Sequence, residues 1–474
     1  MAITREQNVN AVVGEVLKRL QRSGTPVNYS TGRIAGPVFN NAQQAIDASI
    51  VAQKQWAATP KETKKNVIAA LRTVMRDHAE DFARRELQET GLGRYQDKIY
   101  KIHNAAASTP GIEDLEMRVW SGDKGLVYED YAPYGVIAAI TPSTHPIPVL
   151  FNSIVIITSP GNSVVFNVHP AGKKVSAYAM EIFDRVIQKN GGPANLISMI
   201  KEPTMESADV IFRHPAIRII VATGGPALVK AAFGSGKKVI AAGPGNPPVL
   251  VDETACLKTA AKSIIEGASF DNNIICIAEK EAFVVESVYE EFMEAMTEAG
   301  AARLSNAQID KLASKVFRKE ADGHYSINKD FVGKNANVLA RAVGLHLSDD
   351  VRILFGAASM SCPFVHEEQM MPYLPVVKVK CVDEGIQFAL KAEHGYGHTA
   401  MIHSNNLNTI TKYTKAMNTS IVVVNGPSLA GLGGMTGEGN FSHTVSSPTG
   451  EGVCTPRNFA RVRRVAVSKS MQIV

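Results

Sequence analysis

Cysteine is scarce in this 474-residue chain: five residues, at positions 256, 276, 362, 381 and 454, odd in number, dispersed and without CxxC spacing. That pattern excludes a disulfide framework and a zinc site, so no metal is expected, and it points to a reducing compartment. No run approaches the roughly 18 consecutive apolar residues of a membrane-spanning helix. The first residues carry no apolar signal-peptide core. The expectation is a cytoplasmic protein without membrane contact. An excess of one charge is also missing. The formal net charge is +5, and basic residues cluster only in short pairs such as Lys173-Lys174, Lys237-Lys238 and Arg463-Arg464. With no basic stripe and no interleaved aromatics, nucleic acid is not an expected partner. Internal repeats and low-complexity tracts are absent. A chain of this length divides into two or three packed units, because single cores stop growing near about 250–300 residues.

One cysteine stands apart from the others. Residues 267–277 read Gly-Ala-Ser-Phe-Asp-Asn-Asn-Ile-Ile-Cys-Ile, a polar turn followed by a short apolar run. The pattern predicts an amphipathic helix over 257–266 and a strand over 282–285. A cysteine where a polar loop meets a buried strand is accessible yet partly desolvated. Loop N–H groups there can lower a thiol pKa and cradle an oxyanion. Taken alone, such a residue is more often a small core side chain.

The remaining chain supplies context. Val9, Val12, Val13, Val16, Leu17 and Leu20 form one apolar stripe on a helix over 1–20, with Glu6, Gln7, Asn10, Glu15, Lys18 and Arg19 opposite. Residues 21–36 have linker composition. A short helix on a tether either packs on its own protein or serves as a docking peptide. Residues 41–108 read as helices, with Thr59 as N-cap and Pro60 at the first position of one of them. Strands are predicted near 126–140, 163–168, 196–200 and 217–221, alternating with helices, which implies βαβ units and a parallel sheet. Ala222-Thr223-Gly224-Gly225-Pro226 ends a strand and opens a helix, where glycines let a backbone approach a pyrophosphate. It is not the full GxGxxG fingerprint. From Val251 a second α/β unit begins, with strands near 352–356, 376–379, 398–403 and 420–425. The tail over 459–474 alternates like an edge strand that invites pairing with another subunit.

Thr141-Pro142-Ser143-Thr144, His169-Pro170, Thr223-Gly224-Gly225, Gly243-Pro244-Gly245-Asn246-Pro247-Pro248, the 267–276 stretch, Glu368 and Ser447-Pro448-Thr449-Gly450-Glu451-Gly452 follow one another in this order. Together they resemble the aldehyde dehydrogenase superfamily over nearly the whole chain after residue 35. Within it they resemble the CoA-acylating propionaldehyde and acetaldehyde dehydrogenases of bacterial microcompartments. The resemblance implies an α/β fold with two Rossmann-like parallel-sheet domains plus a β oligomerisation arm. On this basis residues 1–20 are a targeting helix that meets microcompartment shell proteins, and 21–36 a linker. Residues 37–119 and 135–250 are an NAD-binding domain, 251–435 a catalytic domain, and 120–134 with 455–474 the arm of a dimer or tetramer.

The same resemblance implies oxidation of a short aldehyde, propionaldehyde favoured, with NAD and coenzyme A in a microcompartment lumen. The acyl group would pass through a thioester on Cys276. Asn273 and Thr144 would belong to the catalytic centre. Thr141, Pro142, His169, Pro170, Thr223, Gly224, Gly225, Ala241, Gly243 and Glu368 would surround the cofactor, with Glu368 near the nicotinamide ribose. Hydrolytic members carry a water-activating Glu where this chain has Ala241, and an oxyanion-donating Asn where it has Thr144. The first departure favours CoA over water as acceptor, hydrolysis to a free acid being the alternative. Microcompartment relatives often have Asn at the place of His145. That residue either shapes the aldehyde pocket or caps the following helix, and the cap is the simpler expectation.

Overall fold

The computed structural model describes residues 36–321 and 325–472. The amphipathic segment 1–20 and the predicted linker up to 35 lie outside the described residues.

Val- and Ile-rich runs buried on both faces build the first sheet. Val136–Thr141 and Ser163–Val168 are buried at every position, as parallel strands covered on both sides must be. The six strands run in the order Val38–Phe39, Ile197–Ile200, Ser163–Val168, Val136–Thr141, Ile217–Thr223, Lys238–Ala242. Every pairing is parallel. Counted from Val136–Thr141, five of them have the 3-2-1-4-5 order of a mononucleotide-binding fold. A second, seven-stranded parallel sheet runs Ala302–Arg303, Leu354–Ala358, Tyr373–Val379, Glu281–Val285, Pro248–Val251, Thr399–His403, Ile421–Val424. A three-stranded antiparallel arm joins Arg118–Gly122, Gly125–Pro133 and Ala460–Ser468. Its apolar Val119, Trp120 and Val462 stand largely in solvent.

Helix Pro146–Thr158 is buried along its whole length. It opens next to the C-terminal end of Val136–Thr141 and carries Asn152, whose side-chain amide donates to Ser442 Oγ at 3.1 Å. That bond ties residues 442–444, far along the chain, to the first sheet's helical layer.

Two details differ from expectation. Thr59 is not an N-cap: its hydroxyl donates back to the Gln55 carbonyl at 2.9 Å and closes the preceding helix, Ala42–Ala58. Helix Lys61–Asp77 begins after Pro60 with no side-chain cap. Within the polar stretch 305–334, helix Asn306–Val316 is opened by a Ser305–Gln308 capping box.

Candidate active site

In open α/β sheets, ligands bind outside the carboxyl ends of strands where the strand order reverses. Here that point lies between Val136–Thr141 and Ile217–Thr223. A cavity of about 540 Å³ opens there. Thr141, Pro142 and Thr144 line it from the end of one strand, His169 and Pro170 from its neighbour, and Thr223, Gly224 and Gly225 from the next. Gly243, Cys276 and Glu368 close the other side. Eleven residues singled out in the sequence therefore share one cavity, although they come from both halves of the chain.

The cysteine is placed by an unusual backbone. Asp271, Asn272 and Asn273 have φ of 47°, 55° and 66°, three consecutive left-handed residues without a glycine. Asp and Asn tolerate this conformation better than other residues, but a run of three persists only if its surroundings fasten it. They do. Asp271 accepts from the Arg94 backbone N–H at 2.7 Å and from Lys101 Nζ at 2.6 Å. Asn272 accepts from Arg94 Nε at 2.9 Å and donates to the Gly333 carbonyl at 2.9 Å. Asn273 donates to the carbonyls of Ala268 and Glu279, at 2.8 and 2.9 Å. The chain leaves this turn with Ile274, Ile275 and Cys276 on the cavity wall. The Gly243-Pro244-Gly245 turn runs against it so closely that a Cβ on Gly245 would stand 2.7 Å from the Cys276 carbonyl oxygen.

Two of the expected site residues lie elsewhere. Asn273 commits both amide hydrogens to backbone carbonyls and is buried beneath the loop, so its side chain braces the turn and has no N–H free for an oxyanion. Ala241 is fully buried among the apolar side chains on the far face of its strand, with Val239 and Ala222. Strand alternation turns its neighbour Ala242 to the cavity instead. The expected capping role of His145 is also corrected. Its side chain makes no cap hydrogen bond to helix Pro146–Thr158; it lines the cavity.

Electrostatics around Cys276 come from Glu368 and from buried charged groups the sequence did not point out. Lys280 is fully buried and donates to the Asn273 carbonyl at 3.0 Å and also to its side-chain oxygen. Burial lowers the Lys280 pKa, opposed by the charges of Glu368, Cys276, Glu281 and Glu279. Burial, and then the carboxylate of Glu368, pushes the Cys276 thiol up to about 11; Lys280 works against both. Burial likewise raises Glu368 to about 7, again opposed by Lys280. Glu279, buried and pushed to about 7, accepts from the Ser428 backbone and hydroxyl at 2.7 Å each. A Lys flanked by two Glu directly after a Cys-x-x motif was the available signal for this cluster.

The cradle on the first sheet suits a dinucleotide. Helix Pro226–Phe233 opens onto the cavity with Gly225 as its N-cap and no side chain covering its first N–H groups. A Cβ at Gly225 would meet nothing within 4 Å, so the space beside the backbone is open to a ligand. Thr141 Oγ1 is buried on the cavity wall without a hydrogen-bond partner.

A switch-point crevice that faces a half-buried thiol, on the loop that leads into a strand of the second sheet, fits a nucleotide-dependent dehydrogenase with a cysteine nucleophile. Residues 31–440 match the aldehyde dehydrogenase family, and the chain belongs to that family. It is 42% identical over 472 residues to the acetaldehyde dehydrogenase (acetylating) EutE of Escherichia coli strain K12, an alignment that covers 99% of this chain and 100% of that one. Its fold is similar to that of a propionaldehyde dehydrogenase from the Clostridium phytofermentans fucose utilisation bacterial microcompartment, with TM-score 0.89 and 39% identity over 92% of this chain and 100% of that one. A Rhodopseudomonas palustris propionaldehyde dehydrogenase with bound CoA and an acylated cysteine is similar at TM-score 0.89 and 38% identity, over 92% of this chain and 99% of that one. Among the described residues no helix is long and apolar enough to cross a membrane.

Proposed function

We propose that the chain oxidises a short aldehyde to its acyl-CoA, with NAD⁺ as oxidant, through a thioester on Cys276. The observation that carries this reading is the cavity that holds both the Cys276 thiol and the Gly225 helix start, with the small residues Ala242 and Gly243 and Pro244 in its lining. The Cys276 sulfur attacks the aldehyde carbon and gives a thiohemiacetal. In this reading the Cys276 backbone N–H and Thr144, both on the cavity wall, would stabilise the oxygen that becomes charged. NAD⁺, when bound, takes the hydride. Thr141 and the Gly224-Gly225 backbone would hold it, and Glu368 would face it from the other side of the cavity. The thioester left on Cys276 is then open to a second thiol. A thiol is far more ionised near neutral pH than water and needs less help to attack.

The small residues of the 242–244 turn offer no proton acceptor for water and leave room for a pantetheine arm. Ala241, facing the core, has no part in this, and a glutamate there would bury an unpaired carboxylate. NAD⁺ is favoured over NADP⁺ because Lys173, just past His169, is already ion-paired to Glu202, and no Arg fork adjoins it for a 2′-phosphate. With propionaldehyde, NAD⁺ and CoA, acyl-CoA should exceed free acid by about 10²-fold or more, and NADP⁺ should give the lower kcat/KM. Chromatography of both products from one reaction decides the first point. Free acid as the main product in the presence of CoA would overturn the reading.

Residues 1–20 serve in this proposal as a docking segment for shell proteins of a microcompartment, and the arm with exposed Trp120 and Val462 joins copies of the chain. Deletion of 1–20 should leave turnover and assembly mass unchanged and abolish co-purification with shell proteins. Retained co-purification would remove the docking role, and a loss of mass would transfer assembly from the arm to this segment.

A further inference from the structure

His145 and His443 have no task in the chemistry above, yet both line the cavity that holds Cys276. His145 opens helix Pro146–Thr158, and His443 is held against the same helix by the Asn152–Ser442 bond. Their rings lie 5.2 Å apart between centroids, tilted by 37°. The residues are 5% and 7% exposed. His145 Nδ1 and His443 Nε2 are buried with no hydrogen-bond partner. Buried polar atoms are almost always paired, so two orphan ring nitrogens side by side in a ligand cavity call for a ligand group. Ile274, Ile275 and Val445 make the adjoining wall apolar.

The chemistry of that group follows from the rings' charge. Burial and the nearby Lys101 keep both imidazoles neutral, His443 down to about 3. Neutral rings offer an anion no charge, and Lys98 and Lys101 behind His145 repel a cation. Backbone groups of Ile274 and Lys101 engage the protonated nitrogen of each neutral ring, which leaves the orphan nitrogens as acceptors, and a hydroxyl has a proton to donate to them. An alkyl chain in the same place displaces water from the two nitrogens and returns no hydrogen bond.

We infer that His145 and His443 recognise a hydroxyl group on the substrate, so that short hydroxyaldehydes are preferred to plain alkyl aldehydes of the same length. This rests on the aldehyde reading above and narrows its substrate class.

The test needs neither cofactor nor CoA. An aldehyde that forms the thiohemiacetal shields Cys276 from iodoacetamide, and peptide mass spectrometry follows that residue separately from the exposed Cys256 and Cys381. The concentration of free, unhydrated aldehyde that halves the alkylation rate should be at least about 10-fold lower for 2-hydroxypropanal or 3-hydroxypropanal than for propanal. The ratio should fall to about one in the double variant His145→Leu/His443→Leu. Equal or better protection by propanal in the wild-type chain overturns the inference, as does a ratio that survives in the double variant. The wild-type comparison decides the matter even where the double variant folds poorly. Protection by propanal together with failure to make acyl-CoA would instead count against the acylating reading alone.

Discussion

Replacing Cys276 by alanine is expected to lower acyl-CoA formation at least about 10⁴-fold while dinucleotide binding stays nearly intact. Cys276 is the one cysteine on the cavity wall. Cys256 and Cys381 are exposed, and Cys454 is buried, with Ser446 Oγ 3.2 Å from its sulfur. Each of these should tolerate alanine singly with turnover changed by less than about 3-fold, since small side chains outside the site carry at most packing terms. The dinucleotide cradle at Gly224 and Gly225 belongs to the first sheet, and the loop that carries Cys276 is fastened by Asp271, Asn272 and Asn273, not by the thiol itself. Removing one sulfur therefore disturbs neither. Parallel measurements of acyl-CoA production and of NAD⁺ binding by calorimetry test both halves. More than a trace of activity in Cys276→Ala would end the assignment.

The second large effect is expected at Lys280. Its ammonium is the larger of two positive charges, with Lys101, that offset burial and Glu368 at Cys276, and it also braces the Asn273 turn. Lys280→Met removes both contributions. The sign follows directly: with the cation gone, the Cys276 pKa rises beyond about 11, and the thiolate fraction at any pH below that value falls. Iodoacetamide alkylation of Cys276 at pH 8 should slow by about 10-fold, and turnover at pH 8 by a similar factor or more. The fold should lose about 3 kcal/mol in urea denaturation, because Glu279, Glu281 and Glu368 are left buried without a compensating charge. Lys280→Arg should recover part of the reactivity. A Lys280→Met protein that folds and whose Cys276 alkylates as fast as wild type would show that the charge does not reach the thiol.

Much of the fold was legible because the strands are Val- and Ile-rich and are punctuated by glycine and proline. The strands at 163–168, 217–221, 376–379 and 398–403 were found within a few residues of their ends. The site was legible where a residue's role follows from its place on the chain, as at Thr223-Gly224-Gly225 after a strand or Cys276 after a polar turn. It was illegible where side-chain direction decides. Ala241 and Ala242 are equivalent in sequence, and only strand register sends one to the core and the other to the cavity. Asn273 reads as part of the catalytic centre until its amide is seen to face Ala268 and Glu279. His443 lies 298 residues from His145 in the chain, and no local pattern pairs them.

The left-handed turn at 271–273 also bears on how the protein is made. Its anchors, the Arg94 backbone and Lys101, lie 177 and 170 residues away from Asp271, so the turn closes only after two distant parts of the chain have docked, a slow class of contact. Until then Cys276 is an ordinary exposed thiol with a pKa near about 8.5, more ionised than in the finished protein, where burial holds it near 11. Thiolate character governs oxidation to sulfenic acid. Oxidants present during refolding are therefore expected to modify Cys276 faster than the same oxidants added to the folded chain, as peptide mass spectrometry of residue 276 would show.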